Sequence, residues 1–153
     1  LVRITRDCPL HDSVLIECVV RKHLQDDTDY TSNILNPTFP DGLDVEVMSF
    51  LSFKNVHEKE LTSFQQEHVT PFYYQNRHLF KIGEIKNDLD LSSKRWTLDT
   101  EEDLEFIRRI YQNFNQSPLD FKTIDVLAYL AQHRNLENIN GNYKRNYALN
   151  IKR

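Results

Sequence analysis

The sequence predicts an α/β domain built in layers, because segments with strand periodicity alternate along the chain with segments of helical periodicity. The clearest strand is 43–48, where apolar and polar residues alternate one by one. The clearest helix is 104–114, where the apolar residues form one stripe and the charged residues stay outside it. A chain of 153 residues is long enough to bury a core between such layers.

The other elements follow the same two periodicities. Besides 43–48, strands are predicted at 1–5, 29–33, 78–85 and 94–98. A helix is expected to start at a cap on Asp12 or Ser13. Further helices are predicted at 53–61, 64–75 (bent or interrupted at Pro71) and 123–133. Segment 36–42 has two prolines and a glycine, and it is expected to form a turn.

Composition excludes several classes of protein. A net charge of −4 argues against a nucleic-acid-binding protein, which would carry a basic surface. The sequence has no apolar run of about 18 residues, so no membrane span is predicted. The two cysteines suit a reduced protein, and a cytoplasmic location is expected. The basic residues near the C-terminus are interpreted as a solvated tail: Lys144, Arg145, Lys152 and Arg153.

Carboxylates follow three of the predicted strands or turns. Asp7 comes directly after the first strand, a second group lies within 41–46, and Asp99 ends the strand at 94–98. Ligands of open α/β sheets collect beyond strand ends, and Mg²⁺ typically takes one or two protein carboxylates. An aspartate in such a place also suits a turn or a helix cap. From spacing alone, the metal role and the structural role both stay open.

The acids around Asp99 divide into two groups. Thr100 and Asp103 have the spacing of a capping box, and acids in a first helical turn complement the helix dipole. The start of a helix therefore explains Glu101, Glu102 and Asp103. Asp99 precedes the cap, where a carboxylate has no such use, and it is the acid left for chemistry.

Five stretches of the sequence together resemble a known family. In order they are VRITRDCPL, DYTSN, FPDGLDVEV, EHVTPF and RWTLDTEEDLEFI. The set is similar to the SpsF-like cytidylyltransferases of spore-coat polysaccharide synthesis, relatives of the enzymes that make CMP-activated acidic sugars. The similarity extends from Leu1 to about Tyr111 and is thin beyond that point.

The resemblance implies a three-layer α/β/α, Rossmann-like nucleotide-diphospho-sugar transferase fold. It also implies that a cytidylyl group passes from CTP to a sugar hydroxyl with release of pyrophosphate, and that Mg²⁺ is the cofactor. The expected partners are CTP and an acidic sugar, and a homodimer is expected, with no nucleic acid and no membrane.

The resemblance also assigns site residues. Asp7 and Asp99 match the family's two metal-holding carboxylates and are the expected catalytic and metal-binding residues. The expected substrate-binding residues are Arg3, Asp41, Asp44, Glu46, Glu67, His68 and Arg95. Along one strand Asp44 and Glu46 share a face, opposite that of the valines between and after them. Arg3 and Arg95 have an alternative role, in which they hold the carboxylates in place.

The sequence departs from the family in three places. Arg6 stands where the family has glycine, and Glu101 stands where it has proline. The family's nucleotide-binding loop, rich in Gly, Arg and Lys, is not in the chain. We therefore expect 1–153 to be the C-terminal portion of one domain, inactive alone, with 1–115 as the best-matching part and 116–153 as an extension. The alternative is a non-catalytic module for self-association or scaffolding.

Overall fold

A computed structural model describes residues 1–115, 120–143 and 145. The strands are β1 Val2–Arg3, β2 Tyr30–Ser32, β3 Glu46–Met48 and β4 Ile82–Glu84. The α-helices are α1 Ser13–Asp26, α2 Phe50–His57, α3 Ser63–His68, α4 Pro71–Gln75, α5 Glu101–Asn113 and α6 Thr123–Gln132. Short 3₁₀ helices occupy Arg77–Leu79 and Arg134–Asn138. Over these residues, no helix combines the length and the apolar character needed to cross a membrane.

The four strands form one mixed sheet in the order β1-β3-β2-β4. Strand β3 runs antiparallel to both of its neighbours, and β4 runs parallel to β2. In this register Val47 of β3 lies between Val2 of β1 and Thr31 of β2. The sheet therefore places the end of β1 beside the start of β3, where two of the acidic stretches lie.

Alternation along β3 produces a separate core on each face of the sheet. Val45 and Val47 pack in one cluster with residues of α1, α5 and α6. Met48 packs on the other face with residues of α2 and α4. On that second face, the rings of Tyr30 and Tyr73 stack with their centroids 4.8 Å apart. Helices thus cover both faces, and the three-layer α/β/α arrangement that the family resemblance implied is confirmed.

Two predicted helix caps are also confirmed. Asp12, rather than Ser13, caps α1 by accepting a hydrogen bond from the Val14 amide at 2.8 Å. Its second oxygen accepts from the Thr123 amide at 2.9 Å, so one carboxylate holds the starts of α1 and α6 together. Thr100 and Asp103 form the predicted capping box of α5.

The predicted strand at 94–98 is wrong. The segment is extended, but only one isolated bridge, between Asp41 and Arg95, links it to the rest of the described chain in a β-pattern. The Trp96 amide donates to the Asp41 carbonyl at 2.7 Å, and the Leu98 amide donates to the Asp7 carbonyl at 2.8 Å. Successive residues therefore bond to two different segments, and no continuous ladder can form.

Other predicted boundaries shift for local reasons. The strand expected at 78–85 shortens to 82–84, because a 3₁₀ turn at Arg77–Leu79 takes its first residues. The helix expected at 53–61 begins at Phe50 instead, because Ser49 accepts the Ser52 amide as its cap. Of the two alternatives predicted at Pro71, a bend or an interruption, the structure has the interruption, since α3 ends at His68 and Pro71 starts α4.

Replacing Ile110 by alanine should lower the free energy of unfolding by about 2–5 kcal/mol, because its fully buried side chain would leave a cavity. The matched control is Ile124→Ala on α6, whose side chain is 69% exposed and whose loss should cost about 0.5 kcal/mol or less. Urea unfolding of both variants measures the difference, and equal values would contradict the described core.

Candidate active site

Seven of the nine site residues predicted from the sequence line one open cleft of about 780 Å³. They are Arg3, Asp7, Asp41, Asp44, Glu67, His68 and Asp99. Glu46 lines a smaller neighbouring pocket of about 300 Å³, which shares Arg3, Asp44 and His68 with the cleft. Arg95 lines neither of these spaces, but its guanidinium contacts two acids of the cleft lining, Asp41 and Asp99. The fold thus brings together acids that are far apart in the sequence.

Backbone bonds place Asp7 and Asp99 on the same part of the cleft wall. Asp7 follows β1, and its carbonyl accepts from the Leu98 amide at 2.8 Å and from the Thr97 hydroxyl at 3.1 Å. The segment that leads into Asp99 is therefore fixed to the residue that carries the other carboxylate.

A buried ion pair between Arg95 and Asp103 lies beneath these acids. The side chains are 3% and 0% exposed. The guanidinium donates to both carboxylate oxygens, from Nε to Oδ1 at 2.9 Å and from Nη2 to Oδ2 at 2.7 Å. Burial by itself would raise the pKa of Asp103, but hydrogen bonds from Arg95 and Asn140 outweigh it and hold that pKa below its ordinary value.

The remaining donors of Arg95 reach two acids of the cleft. Nη2 donates to Oδ2 of Asp99 at 3.0 Å, and Nη1 lies 3.5 Å from Oδ2 of Asp41. Asp99 therefore has a structural partner that its place before the helix cap did not suggest. Of the two roles considered for Arg95, these contacts favour holding carboxylates over binding substrate.

The C-terminal segment completes this network. Asn140, 2% exposed, donates to Oδ1 of Asp103 at 2.8 Å and to the carbonyl of Arg95 at 3.0 Å. The ring of Tyr143 lies 5.5 Å from the central guanidinium carbon of Arg95, within range of a cation–π interaction.

Arg145 corrects the interpretation of the C-terminal basic residues as a solvated tail. Its side chain is only 18% exposed, and it pairs with Oδ1 of Asp44 while its Nε lies 3.8 Å from Oδ1 of Asp41. Two carboxylates of the cleft that attract this cation explain its position. The other three basic residues lie outside the described part of the chain.

Burial also changes the protonation of the acids that Arg145 contacts. Desolvation raises the pKa of Asp44 to about 6, although the charge of Arg145 opposes the shift. Desolvation raises the pKa of Asp41 as well, against the opposing charges of Arg145 and Arg95.

The other predicted site residues have different surroundings. Glu46 is 2% exposed, and its carboxylate accepts from the guanidinium of Arg3 and from the hydroxyl of Tyr30. Glu67 and His68 end helix α3 at the cleft, where the His68 ring lies 4.5 Å from that of Phe64. Arg6 is exposed and lines the cleft beside Asp7.

Sequence reasoning missed several residues of the site. Asp103 was explained fully by its helix cap, and a cap gives no sign that the same carboxylate is buried against an arginine. Asn140 and Arg145 lie in a segment without periodicity, so no pattern pointed to them. Thr97 gave only a strand signal, although its hydroxyl lies between the carbonyl of Asp7 and the carboxylate of Asp99.

The raised pKa of Asp44 predicts a pH-dependent contribution to stability. Between about pH 4 and pH 6 the folded protein retains a proton on Asp44 that the unfolded chain, with a pKa of 3.8, has lost. The contribution of Asp44 to the free energy of unfolding therefore falls as the pH rises through this window. In the unchanged chain this fall in the free energy of unfolding should be on the order of 1 kcal/mol, a value reduced for solvent screening because almost a third of the Asp44 side chain is exposed. Asp44→Asn should abolish the fall.

Urea unfolding of both proteins at pH 4 and pH 7 measures this effect. The variant should gain stability relative to the unchanged chain at the higher pH. A difference between the two proteins that is the same at both pH values would contradict the assignment.

Comparison with known proteins finds two relatives that match most of this chain. No family model matches the chain. An uncharacterized protein of Methanocaldococcus jannaschii is 31% identical over 148 residues, covering 94% of this chain and 58% of the relative. The spore coat polysaccharide biosynthesis protein SpsF of Bacillus subtilis is 30% identical over 136 residues, covering 87% of this chain and 55% of SpsF.

A solved structure gives the same result for the fold. A cytidylyltransferase from Leptospira borgpetersenii superposes with a TM-score of 0.80 at 30% identity, over 88% of this chain and 57% of the other. The chain therefore spans just over half the length of the proteins it matches. By both sequence and fold, it is a relative of the cytidylyltransferases, with their α/β nucleotidyltransferase fold.

Proposed function

We propose that the chain supplies the metal-binding and sugar-side part of an enzyme that transfers a cytidylyl group from CTP to an acidic sugar, with Mg²⁺ as cofactor. The observation that carries the proposal is the joint position of Asp7 and Asp99 in one cleft, fixed by the hydrogen bond from the Leu98 amide to the Asp7 carbonyl. Kinship with SpsF and with the Leptospira cytidylyltransferase supports nucleotidyl transfer as the class of reaction.

The charges in the cleft fit a divalent cation. Five carboxylates line it, against the guanidinium groups of Arg3 and Arg6. Among the described residues, hydrogen bonds reach only Oδ2 of Asp99, which leaves Oδ1 for a ligand. Three or more potential ligand side chains do not converge anywhere in the described ranges, and Mg²⁺ held by two carboxylates does not require a third.

The proposed reaction uses this arrangement directly. When bound, Mg²⁺ would offset negative charge on the phosphate oxygens while the sugar hydroxyl displaces pyrophosphate from the α-phosphorus. Asp7 and Asp99 would hold the ion. Arg3 and His68 line both the cleft and the smaller pocket, and they would contact an anionic group of the sugar.

The proposal concerns an enzyme of the length of these relatives, of which this chain spans just over half. We expect the 153 residues alone to be inactive, as the absence of the family's nucleotide-binding loop from the sequence suggests. The division into a matching part at 1–115 and an extension at 116–153, the homodimer and the cytoplasmic location stay predictions.

One observation favours the second candidate, a non-catalytic module for self-association or scaffolding. Arg6 is exposed in the cleft lining directly before Asp7, at the position where the family has glycine. A side chain there occupies space next to the proposed metal site and adds a positive charge to it.

A chimera tests the proposal, in which this chain replaces the matching segment of the Leptospira cytidylyltransferase. It should release pyrophosphate from CTP when Mg²⁺ and an acidic sugar are present. Asp7→Asn and Asp99→Asn should each lower kcat/KM by about 10²-fold or more, because each would weaken the stabilisation of the transferring phosphate. The exposed Asp88 provides the matched control, and Asp88→Asn should leave the rate unchanged.

The rate outcomes separate the two candidate functions. A chimera that folds by circular dichroism but releases no pyrophosphate with any acidic sugar would leave the scaffolding module as the better assignment. If the Asp99→Asn chimera were fully active, the assignment of Asp99 to the metal site would be contradicted.

A further inference from the structure

The geometry points to Arg95 as a positioning residue: from beneath the cleft, its guanidinium fixes the carboxylate of Asp99 in the orientation that offers one oxygen to a divalent cation. This inference rests on the proposed function, because it concerns the same metal site. It assigns Arg95 no contact with substrate.

The burial of Arg95 separates it from any ligand in the cleft. With a side chain 3% exposed, it has almost no surface that a substrate could contact. Its guanidinium donates to the carboxylates of Asp103, Asp99 and Asp41. An arginine buried in this way acts on the cleft only through the acids that it holds.

The orientation of the guanidinium is set by Asp103. Two parallel hydrogen bonds, at 2.9 and 2.7 Å, join the planar group to both oxygens of that carboxylate. A bidentate pair of this kind fixes the plane of the guanidinium as well as its position. The second N–H of Nη2 is thereby directed to Oδ2 of Asp99, 3.0 Å away.

The backbone of Asp99 is held by the same carboxylate. Oδ2 of Asp103 accepts from the Asp99 amide at 3.0 Å and from the Thr100 amide at 3.1 Å. Asp103 thus anchors the main chain of Asp99 directly and its side chain through Arg95. Oδ2 of Asp99 is occupied on this side, and none of the residues in 1–115, 120–143 and 145 hydrogen-bonds to Oδ1, which is the oxygen offered to an ion.

Lysine could not replace Arg95 in this role. Its ammonium would conserve the charge, but a single nitrogen lacks the rigid fork that joins Asp103 and Asp99 at fixed angles. If Arg95 served only to neutralise buried charge, lysine would preserve the metal site. If Arg95 positions Asp99, lysine would weaken the metal site while the charge stays the same.

The affinity of the 153-residue chain for Mn²⁺ tests the inference. It is measured from the electron paramagnetic resonance signal of the free ion, at a temperature where each variant is folded. Arg95→Lys should weaken the affinity for Mn²⁺ by about 10–100-fold, the usual effect of losing a hydrogen-bonding partner of a metal ligand. The matched control is Arg109→Lys, whose arginine is exposed and pairs with Glu105 one helical turn away. The Arg109→Lys variant should bind Mn²⁺ with the same affinity as the unchanged chain.

A second variant covers the possibility that Arg95→Lys does not fold. The double substitution Arg95→Met with Asp103→Asn removes both buried charges together and keeps a side-chain oxygen for the cap of α5. It should fold, as shown by circular dichroism, and should bind Mn²⁺ with the same 10–100-fold loss.

The outcomes distinguish this inference from the proposed function. If the unchanged chain binds no Mn²⁺, or if Asp99→Asn does not weaken its binding, the proposed metal site fails and the role of Arg95 fails with it. If Asp99→Asn weakens binding but both Arg95 variants bind as tightly as the unchanged chain, only the positioning role is overturned.

Discussion

The buried ion pair of Arg95 and Asp103 is the interaction on which the rest of the cleft depends. Charges removed from water are tolerated only where good geometry and further hydrogen bonds compensate for lost hydration. Here the bidentate contact, Asn140 and the amides at the start of α5 supply that compensation. Through these contacts, the ion pair joins the C-terminal segment, the start of α5 and the turn at Asp41.

This constraint explains how an acidic cleft can exist above the core. Carboxylates that lie close together repel one another, and their burial raises the pKa of Asp41 and Asp44. Arg95 from below and Arg145 from the side offset part of that repulsion. Asp7 and Asp99 lie in the lining of the cleft, where the proposed cation would bind. Stability of the fold and chemistry of the proposed site thus use the same carboxylates.

The sequence predicted those parts of the fold that local patterns determine. Alternation along β3 gave the two faces of the sheet, and the spacing of Thr100 and Asp103 gave the helix start. The same patterns wrongly predicted a strand at 94–98, because the amides of this extended segment bond to two separate segments rather than to one strand. The contacts of Asn140 and Arg145 depend on tertiary structure alone. Position after predicted strands made Asp7 and Asp99 candidates, and the family resemblance assigned the metal to them. The sequence offered Arg95 as a partner for carboxylates, and the fold shows that Asp99 is one of those it holds.

Hydrogen exchange at the Nε–H group of Arg95 is the most direct test of the buried pair as the organising interaction. In two-dimensional ¹H–¹⁵N spectra, this group should exchange with water far more slowly than that of Arg109, because Arg95 donates to Asp103 in the interior while Arg109 is exposed. Protection of the Arg95 signal at neutral pH is the result that the structure predicts. Exchange as fast as that of Arg109 would show that the pair opens freely, and the account of the cleft would be contradicted.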